Sequence, residues 1–229
     1  MKKRIQMDIT LLVSFVIVLT IVFVKFPRLY IQDAVSDDLL DFIGFLTILK
    51  GILVRMTARG YKKSISSRGE NLVTDGPYSI VRNPMYLGSF YIGCGFVLIL
   101  WPWWALPLFA AVFYLRFRRQ ISSEEKYLKA HFGKTFDEYV SRVPRLIPSW
   151  KSIKNANIKE SFPLDKAWLT KEKWGLISWT FLAIFLEALR EYLVFGSFDI
   201  VTTAQVFSLS ALTFILVLIV WYNYAPNTK

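Results

Sequence analysis

The chain alternates long apolar blocks with shorter polar segments. The apolar blocks lie at roughly 8–26, 38–57, 85–100, 102–118, 174–195 and 200–222. A helix needs about 20 apolar residues to cross the hydrocarbon core of a bilayer, and backbone groups within that core must be paired inside the protein. The pattern therefore predicts an all-α fold, a polytopic transmembrane helical bundle with about six spans.

Two of these blocks need separate comment. The first follows Met1–Arg4, which resembles the charged start of a signal peptide, but it is long and no small-residue cleavage site follows Phe26. We therefore interpret it as a retained membrane helix. The third and fourth blocks are separated only by Trp101–Trp104, which contains Pro102. This spacing predicts a tight helical hairpin whose turn lies at a membrane interface.

Charge sets the expected orientation. Basic residues concentrate in 2–4, 59–82 and 116–119, whereas the connections around 33–38 and 196–199 are acidic or neutral. With about six spans, all basic connections lie on one side, so the positive-inside rule predicts that both termini are cytosolic. This explains the formal net charge of +11 without nucleic acid, and no nucleic-acid partner is expected. The expected location is a prokaryotic inner membrane.

The same pattern divides the chain into four parts. We predict an N-terminal two-span hairpin in 1–57, a core in 58–150, a linker in 151–173 and a C-terminal two-span hairpin in 174–229. Within the core, apolar residues recur at helical spacing between Ser122 and Val140. They predict an amphipathic helix on the cytosolic side that begins at Ser123.

The first candidate for chemistry is the segment 75–88. Asn83 precedes Pro84 at the expected start of the third span, which is a favourable arrangement for a helix N-terminus. It could be no more than a well-capped helix entry. A functional interpretation rests on the polar groups and the small residue that converge there, namely Arg82, Asn83, Tyr78, Tyr86 and Gly88.

The second candidate is the motif Glu124-Glu125-x-x-Leu128, followed by Phe132-Gly133, Tyr139 and Val143-Pro144-Arg145-x-Ile147-Pro148. The paired glutamates suit a solvated helix start near the positive end of the helix dipole. They also follow three arginines at the expected membrane edge, where ionisable groups often serve a site. Both interpretations stay open on this pattern.

In their order along the chain, these motifs resemble the isoprenylcysteine carboxyl methyltransferase family, within a wider group that includes phospholipid and thiol methyltransferases. The resemblance covers about residues 68–150. It implies an integral membrane methyltransferase that uses S-adenosylmethionine, held where the amphipathic helix caps the cytosolic end of the hairpin. Asn83 stands where the carboxyl methyltransferases have histidine, and asparagine cannot take up a proton.

The resemblance, together with the chemistry of methyl transfer from a sulfonium, suggests residue roles. Arg82, Asn83, Glu125 and Arg145 are the expected catalytic residues. Asn83 and Tyr86 would orient the cofactor, a glutamate would pair with its amino or ribose groups, and an arginine would hold a carboxylate or phosphate. The full expected cofactor-binding set is Tyr78, Asn83, Pro84, Tyr86, Gly88, Glu124, Glu125, Leu128 and Tyr139. A lipophilic acceptor would come from the bilayer.

The remaining features of the sequence give weaker evidence for a functional site. Cys94 and His131 are the only residues of their types, so neither an internal disulfide nor a histidine- or cysteine-rich metal site is expected, and no metal is predicted. Gly93-x-Gly95 suits close helix packing, within the chain or between chains. The charged residues Glu187, Arg190 and Glu191 can pair with one another or serve a substrate.

Two other functions remain open from the sequence. One is a membrane reductase for sterols or fatty chains, because some of these enzymes carry a related Arg-x-Pro-x-Tyr-x-Gly hairpin and use NADPH. The other is a transporter or assembly protein without enzymatic activity. The acceptor of a methyltransferase is equally open among a prenylated cysteine carboxylate, a phospholipid amine and a thiol.

Overall fold

The computed structural model describes residues 34–66, 69–154, 163–167 and 170–224, with a few positions between 18 and 26. Regular structure in these ranges is entirely helical, which confirms the predicted α class. The helices are α1 (Ala34–Ile65), α2 (Pro77–Ile80), α3 (Pro84–Leu100), α4 (Ala105–Phe132), α5 (Lys134–Arg142), α6 (Trp150–Lys154), α7 (Leu164–Ala167), α8 (Lys173–Phe195) and α9 (Ile200–Tyr224). Most of the predicted first span, 8–26, lies outside the described residues.

The predicted spans coincide with helices, but their number as membrane spans is not confirmed. The spans 38–57, 85–100, 174–195 and 200–222 match α1, α3, α8 and α9, and the span 102–118 lies mostly within α4. Among the described helices, only Ile200–Val220 has both the length and the apolar composition to cross a bilayer. The apolar α3 has 17 residues. α1, α4 and α8 carry several charged side chains among their apolar residues.

The predicted start of the amphipathic helix is wrong. Ser123 lies inside α4, which is continuous from Ala105 to Phe132. The sequence between the apolar part of α4 and Ser123 contains no glycine or proline, so nothing stops the helix there. The helix ends instead at Gly133, whose φ of 53° favours glycine, and α5 follows.

Glycines set the distance between α1 and α3. A Cβ atom on Gly51 would lie 2.6 Å from the carbonyl oxygen of Gly88, and one on Gly44 would lie 2.9 Å from that of Gly95. The two backbones are therefore in direct contact at two levels, and the helices run antiparallel. Small residues allow such close approach between helices in membranes. Gly95, one of the predicted packing glycines, thus packs within the chain.

The C-terminal helices complete the same apolar core. Buried residues from α1, α3, α8 and α9 form one cluster, and the rings of Phe45 and Phe207 lie 4.6 Å apart. Ser210 in α9 donates a hydrogen bond to the carbonyl oxygen of Phe42 in α1. Helices α8 and α9 therefore pack directly on α1, although a linker separates them from the predicted core in sequence.

Candidate active site

The entrance to α3 is bound to the segment that follows α5. Arg82 lies in the short extended connection between α2 and α3, and its backbone N–H donates to the Pro144 carbonyl oxygen at 2.9 Å. Its guanidinium Nη1 donates to the carbonyl oxygens of Val143 at 2.7 Å and Val140 at 3.2 Å. The two candidate segments therefore meet, although about sixty residues separate them in sequence.

Glu125 is the centre of this contact. Its Oε1 atom accepts from Arg82 Nε at 3.0 Å and from Asn83 Nδ2 at 3.2 Å. Its Oε2 atom lies 3.1 Å from Arg145 Nε, but this nitrogen has no aligned hydrogen-bond acceptor, so the contact is an ion pair only. One carboxylate thus faces two guanidinium groups, and the site keeps a local excess of positive charge.

Asn83 occupies the predicted N-cap position of α3, with Pro84 next to it, but its side chain does not cap the helix. The amide instead donates to Glu125 and, at 3.0 Å, to the Arg145 carbonyl oxygen. Each of these contacts uses the donor half of the amide, so an uncharged side chain is sufficient here. Asparagine at this position therefore fits the observed network.

Glu124 forms a second contact between α3 and α4. Its Oε1 atom accepts from the Tyr86 hydroxyl at 2.8 Å and from Gln120 Nε2 at 2.9 Å. The Tyr86 ring lies 5.5 Å from the ring of Phe117, measured between centroids. The paired glutamates thus act separately, because Glu124 binds a tyrosine and Glu125 binds arginines.

The two remaining predicted tyrosines join α5 to α2. The Tyr139 hydroxyl donates to the Tyr78 carbonyl oxygen at 2.7 Å. Burial raises the pKa of the Tyr139 phenol, and likewise that of Tyr78, above its ordinary range. Both phenols are therefore neutral at physiological pH, and Tyr139 serves as a hydrogen-bond donor.

The other predicted residues have less direct positions. Gly88 is buried, and a Cβ atom there would lie 2.7 Å from both Arg55 Cγ and the Gly51 carbonyl oxygen. Its bare backbone therefore faces α1 and not open space. Pro84 is buried at the first turn of α3, and Leu128 is half-buried in α4.

A group of polar residues near this site was not predicted. Arg55 in α1 donates to Ser89 Oγ in α3, and its Nε atom lies 3.3 Å from Glu172 Oε2. Arg59 forms a further ion pair with Glu172. Arg55 lies inside an apolar block, and an ionisable residue within a predicted membrane span is itself a sign of a functional contact. Glu172 lies in the predicted linker, where a charged residue carries no such sign.

Two open basic cavities lie on the exposed surface of α4. One, of about 550 Å³, is lined by Tyr114, Arg118, Arg119, Ser122, Ser123, Lys126 and Arg145. The other, of about 560 Å³, is lined by Leu115, Arg116, Arg118, Arg119, Gln120 and Ser123. Arg145 connects the first cavity to the carboxylate of Glu125, and it also donates to Ser122 Oγ at 2.6 Å. The cavity therefore suits a ligand that carries a carboxylate or phosphate.

Comparison with known proteins connects this site to a group of enzymes. Residues 40–135 match the family model described as phospholipid methyltransferase. The predicted resemblance is confirmed. The match to this methyltransferase family includes most of α1, all of α2, α3 and α4, and both glutamates, whereas nearly all of α5, the segment through Arg145 and the C-terminal helices lie beyond it.

Several relatives share one name, protein-S-isoprenylcysteine O-methyltransferase. The chain is 30% identical over 130 residues to that of Schizosaccharomyces pombe, covering 54% of this chain and 55% of the relative. For form B of Arabidopsis thaliana the identity is 35% over 113 residues, with shares of 46% and 57%. For Saccharomyces cerevisiae it is 31% over 132 residues, with shares of 54% and 55%. The chain thus spans about half the length of these curated relatives. No solved structure matches.

Proposed function

We propose that this chain is an integral membrane methyltransferase that transfers a methyl group from S-adenosylmethionine to a lipophilic acceptor. The observation that carries the proposal is the junction at Glu125, which brings the α3 entrance, α4 and Arg145 together beside a basic cavity. The relatives named above are methyltransferases, not reductases, and this favours the proposed activity over the nicotinamide-dependent alternative.

The residues at the junction fit the proposed donor. Arg145 Nε is buried and lacks an aligned acceptor, and arginines line the adjoining cavity. These groups suit the carboxylate of the methionine part of the donor. Glu124, on the Tyr86 side of α4, would receive its ribose hydroxyls or its amino group. The donor, when bound, supplies a methyl group on a sulfonium, which is already an activated leaving group.

The protein's contribution is mainly positioning. Arg82 and Asn83 fix the carboxylate of Glu125, and Glu125 in turn fixes Arg145 next to the cavity. Because both oxygens of Glu125 face guanidinium groups, we assign it a positioning role and not proton removal. A well-held geometry can supply much of the rate of a displacement between two bound groups.

We further propose that the acceptor is a carboxylate on a prenylated cysteine. The names of the relatives support this choice, and a carboxylate acceptor requires no general base. The basic cavity suits an acceptor carboxylate as well as the donor's own. A phospholipid amine would need a proton acceptor, and Glu125 is already paired with two arginines.

The membrane arrangement is part of the same proposal. Arg82 and Arg145 lie at the junction, and Arg116, Arg118 and Arg119 line a neighbouring cavity, whereas Asp37 and Asp38 lie near the start of α1. Under the positive-inside rule this polarity supports a site on the cytosolic face and cytosolic termini in a multi-pass bundle. The inner membrane of a prokaryote stays a prediction.

The decisive experiment uses the full chain, purified in detergent, with S-adenosylmethionine carrying a tritiated methyl group. Farnesylated cysteine, phosphatidylethanolamine and a small thiol are offered as separate acceptors. We expect labelled farnesylcysteine, with the label released as methanol by alkali, because only a methyl ester is cleaved in this way. Glu138→Gln, an exposed substitution on α5, is the control for Glu125→Gln.

Two outcomes would contradict the proposal. If the purified protein does not bind the labelled donor, the methyltransferase assignment fails. If it binds the donor and labels only the phospholipid or the thiol, the methyltransferase assignment holds and the carboxylate acceptor is wrong.

A further inference from the structure

A second cluster of charged residues lies between the start of α1 and the last third of α8. Arg190 Nη1 donates to Asp37 Oδ1 at 2.8 Å, and Arg190 Nη2 donates to Asp37 Oδ2 at 2.6 Å. The same Nη2 atom lies 2.5 Å from Glu187 Oε1 and 3.7 Å from Asp41 Oδ2. One guanidinium group is thus shared by three carboxylates.

The cluster is deeply buried and its charge does not balance. Asp41, Glu187 and Arg190 are only 6%, 1% and 3% exposed. If all three carboxyl groups are ionised, one guanidinium leaves two negative charges uncompensated, and among the described residues Arg190 is the cation in contact with them. Buried charge is strongly unfavourable unless an opposite charge is close. The ionised cluster therefore requires either a further positive charge or protons on its carboxyl groups.

Two oxygen atoms in the cluster lack partners. Asp41 and Glu187 each turn one oxygen towards Arg190, and the other oxygen of each, Oδ1 and Oε2, is buried without a hydrogen bond. One carboxylate oxygen from each of Asp37, Asp41 and Glu187 lies within 4.8 Å of the others, which is close enough to surround one ion. Buried oxygens of this kind are normally satisfied.

We propose that Asp41 and Glu187 bind a hard divalent cation such as Mg²⁺ or Ca²⁺, beside Asp37, whose two oxygens accept from Arg190. Carboxylate oxygens are the preferred protein ligands of these ions, and Mg²⁺ commonly uses one or two carboxylates and keeps several waters. Two positive charges neutralise the excess left by Arg190. Asp41 Oδ1 and Glu187 Oε2, which have no hydrogen-bond partner, are the oxygens that would bind the ion. The sequence, which lacks a histidine or cysteine cluster, gave no expectation of a metal.

This site is separate from the proposed transfer site. Gly44 packs against Gly95 and Ile99, so the start of α1 lies beside the end of α3, and Asp41 is nearly one further turn away. The junction at Glu125 is at the opposite end of α3. The two ends of this helix are about 25 Å apart at 1.5 Å per residue. The ion would therefore hold α8 against α1 and would take no part in methyl transfer.

The test is titration of the full chain with MgCl₂ and CaCl₂ in detergent, at constant ionic strength and constant neutral pH. Calorimetry measures binding, and thermal unfolding measures the shift in the midpoint temperature. We expect binding of one ion and a rise in the midpoint. Glu187→Gln and Asp41→Asn should each weaken binding at least about tenfold, since even partners outside the coordination shell matter by about that factor. Asp137→Asn, which removes an exposed carboxylate paired with Lys129, should leave binding unchanged.

The variants also separate loss of the ion from loss of the fold. Glu187→Gln keeps the shape of the side chain, leaves Asp37 paired with Arg190 and removes one uncompensated charge. Without divalent ions its midpoint should equal or exceed that of the parent protein. The proposal is overturned if neither ion binds, or if Glu187→Gln binds as tightly as the parent. It is also overturned if mild acidification alone stabilises the protein and divalent ions do not, because a proton then supplies the missing charge.

Discussion

Replacement of Glu125 by glutamine is the sharpest test of the proposed junction. Glutamine can still accept hydrogen bonds from Arg82 and Asn83 through its oxygen, but its amide nitrogen would face Arg145 Nε, donor against donor. The charge that holds two guanidinium groups together would also be lost. The substitution therefore changes the electrostatics of the site while leaving its shape nearly intact.

The expected loss of stability depends on how exposed the paired side chains are to solvent. The side chains of Arg82 and Glu125 are 12% and 17% exposed, whereas that of Arg145 is 35% exposed and more strongly screened by solvent. A hydrogen bond to a charged group contributes about 1.5–3 kcal/mol, so we expect a loss near the lower end, about 2 kcal/mol. For a chain of this size that corresponds to a fall of about 4–8 °C in the unfolding midpoint.

The Glu125→Gln substitution should weaken binding of S-adenosylmethionine as well as lower stability. If Glu125 positions Arg145 for the donor carboxylate, the dissociation constant for S-adenosylmethionine should rise at least about tenfold, a loss of about 1.4 kcal/mol. Thermal unfolding and equilibrium binding of labelled donor measure the two effects, with Glu138→Gln as the matched control. A Glu125→Gln protein with the parent midpoint and the parent dissociation constant would refute the role of the junction. A lower midpoint with unchanged donor affinity would leave Glu125 a purely structural residue.

Three further predictions follow from the same contacts. Arg82→Lys keeps the charge but cannot reach Glu125 and the Val143 carbonyl oxygen together, so donor affinity and the unfolding midpoint should both fall. Tyr139→Phe should cost about 0.5–1.5 kcal/mol of stability, measured by thermal unfolding. Because burial raises the folded pKa of Tyr139, the stabilisation is complete below the ordinary tyrosine pKa of about 10 and is lost at higher pH, so the variant should lose less stability than the parent above pH ~10. Gly51→Ala should destabilise the α1–α3 contact by about 1–3 kcal/mol, whereas Gly175→Ala, with its nearest neighbour at 3.4 Å, should be nearly neutral.

The helices were predictable because their signals are local. Apolar runs bounded by Pro84, Trp101–Trp104 and Gly196 predicted both ends of α3 and α8, and the start of α4, to within a few residues. The same local reasoning failed at Ser123, where a favourable capping residue lies inside a helix that nothing interrupts. A capping residue marks the start of a helix only where the residues before it are not already helical.

The meeting of the two candidate segments was predicted from the resemblance, but the pairing within it was not. The sequence suggested that Glu125 would contact a ligand, whereas its two oxygens contact Arg82, Asn83 and Arg145. Which charges pair depends on helix rotation and on contacts between distant residues, and neither leaves a periodic trace in the sequence. The pairing of Arg55 with Glu172, 117 residues apart, was missed for the same reason.

Helix α8 and its N-cap residue Glu172 are joined to α1 by arginine–carboxylate contacts at two well-separated levels. Near the proposed transfer site, Glu172 binds Arg55, and near the start of α1 Arg190 binds Asp37. Since α1 also contacts α3 directly through Gly51, a change in the tilt of α8 would be transmitted to the α3 entrance by way of α1. Helices α8 and α9 lie outside the segment that matches the methyltransferase family, yet they support the helix against which the site is built. Their contribution to activity should therefore be indirect, through the position of α1.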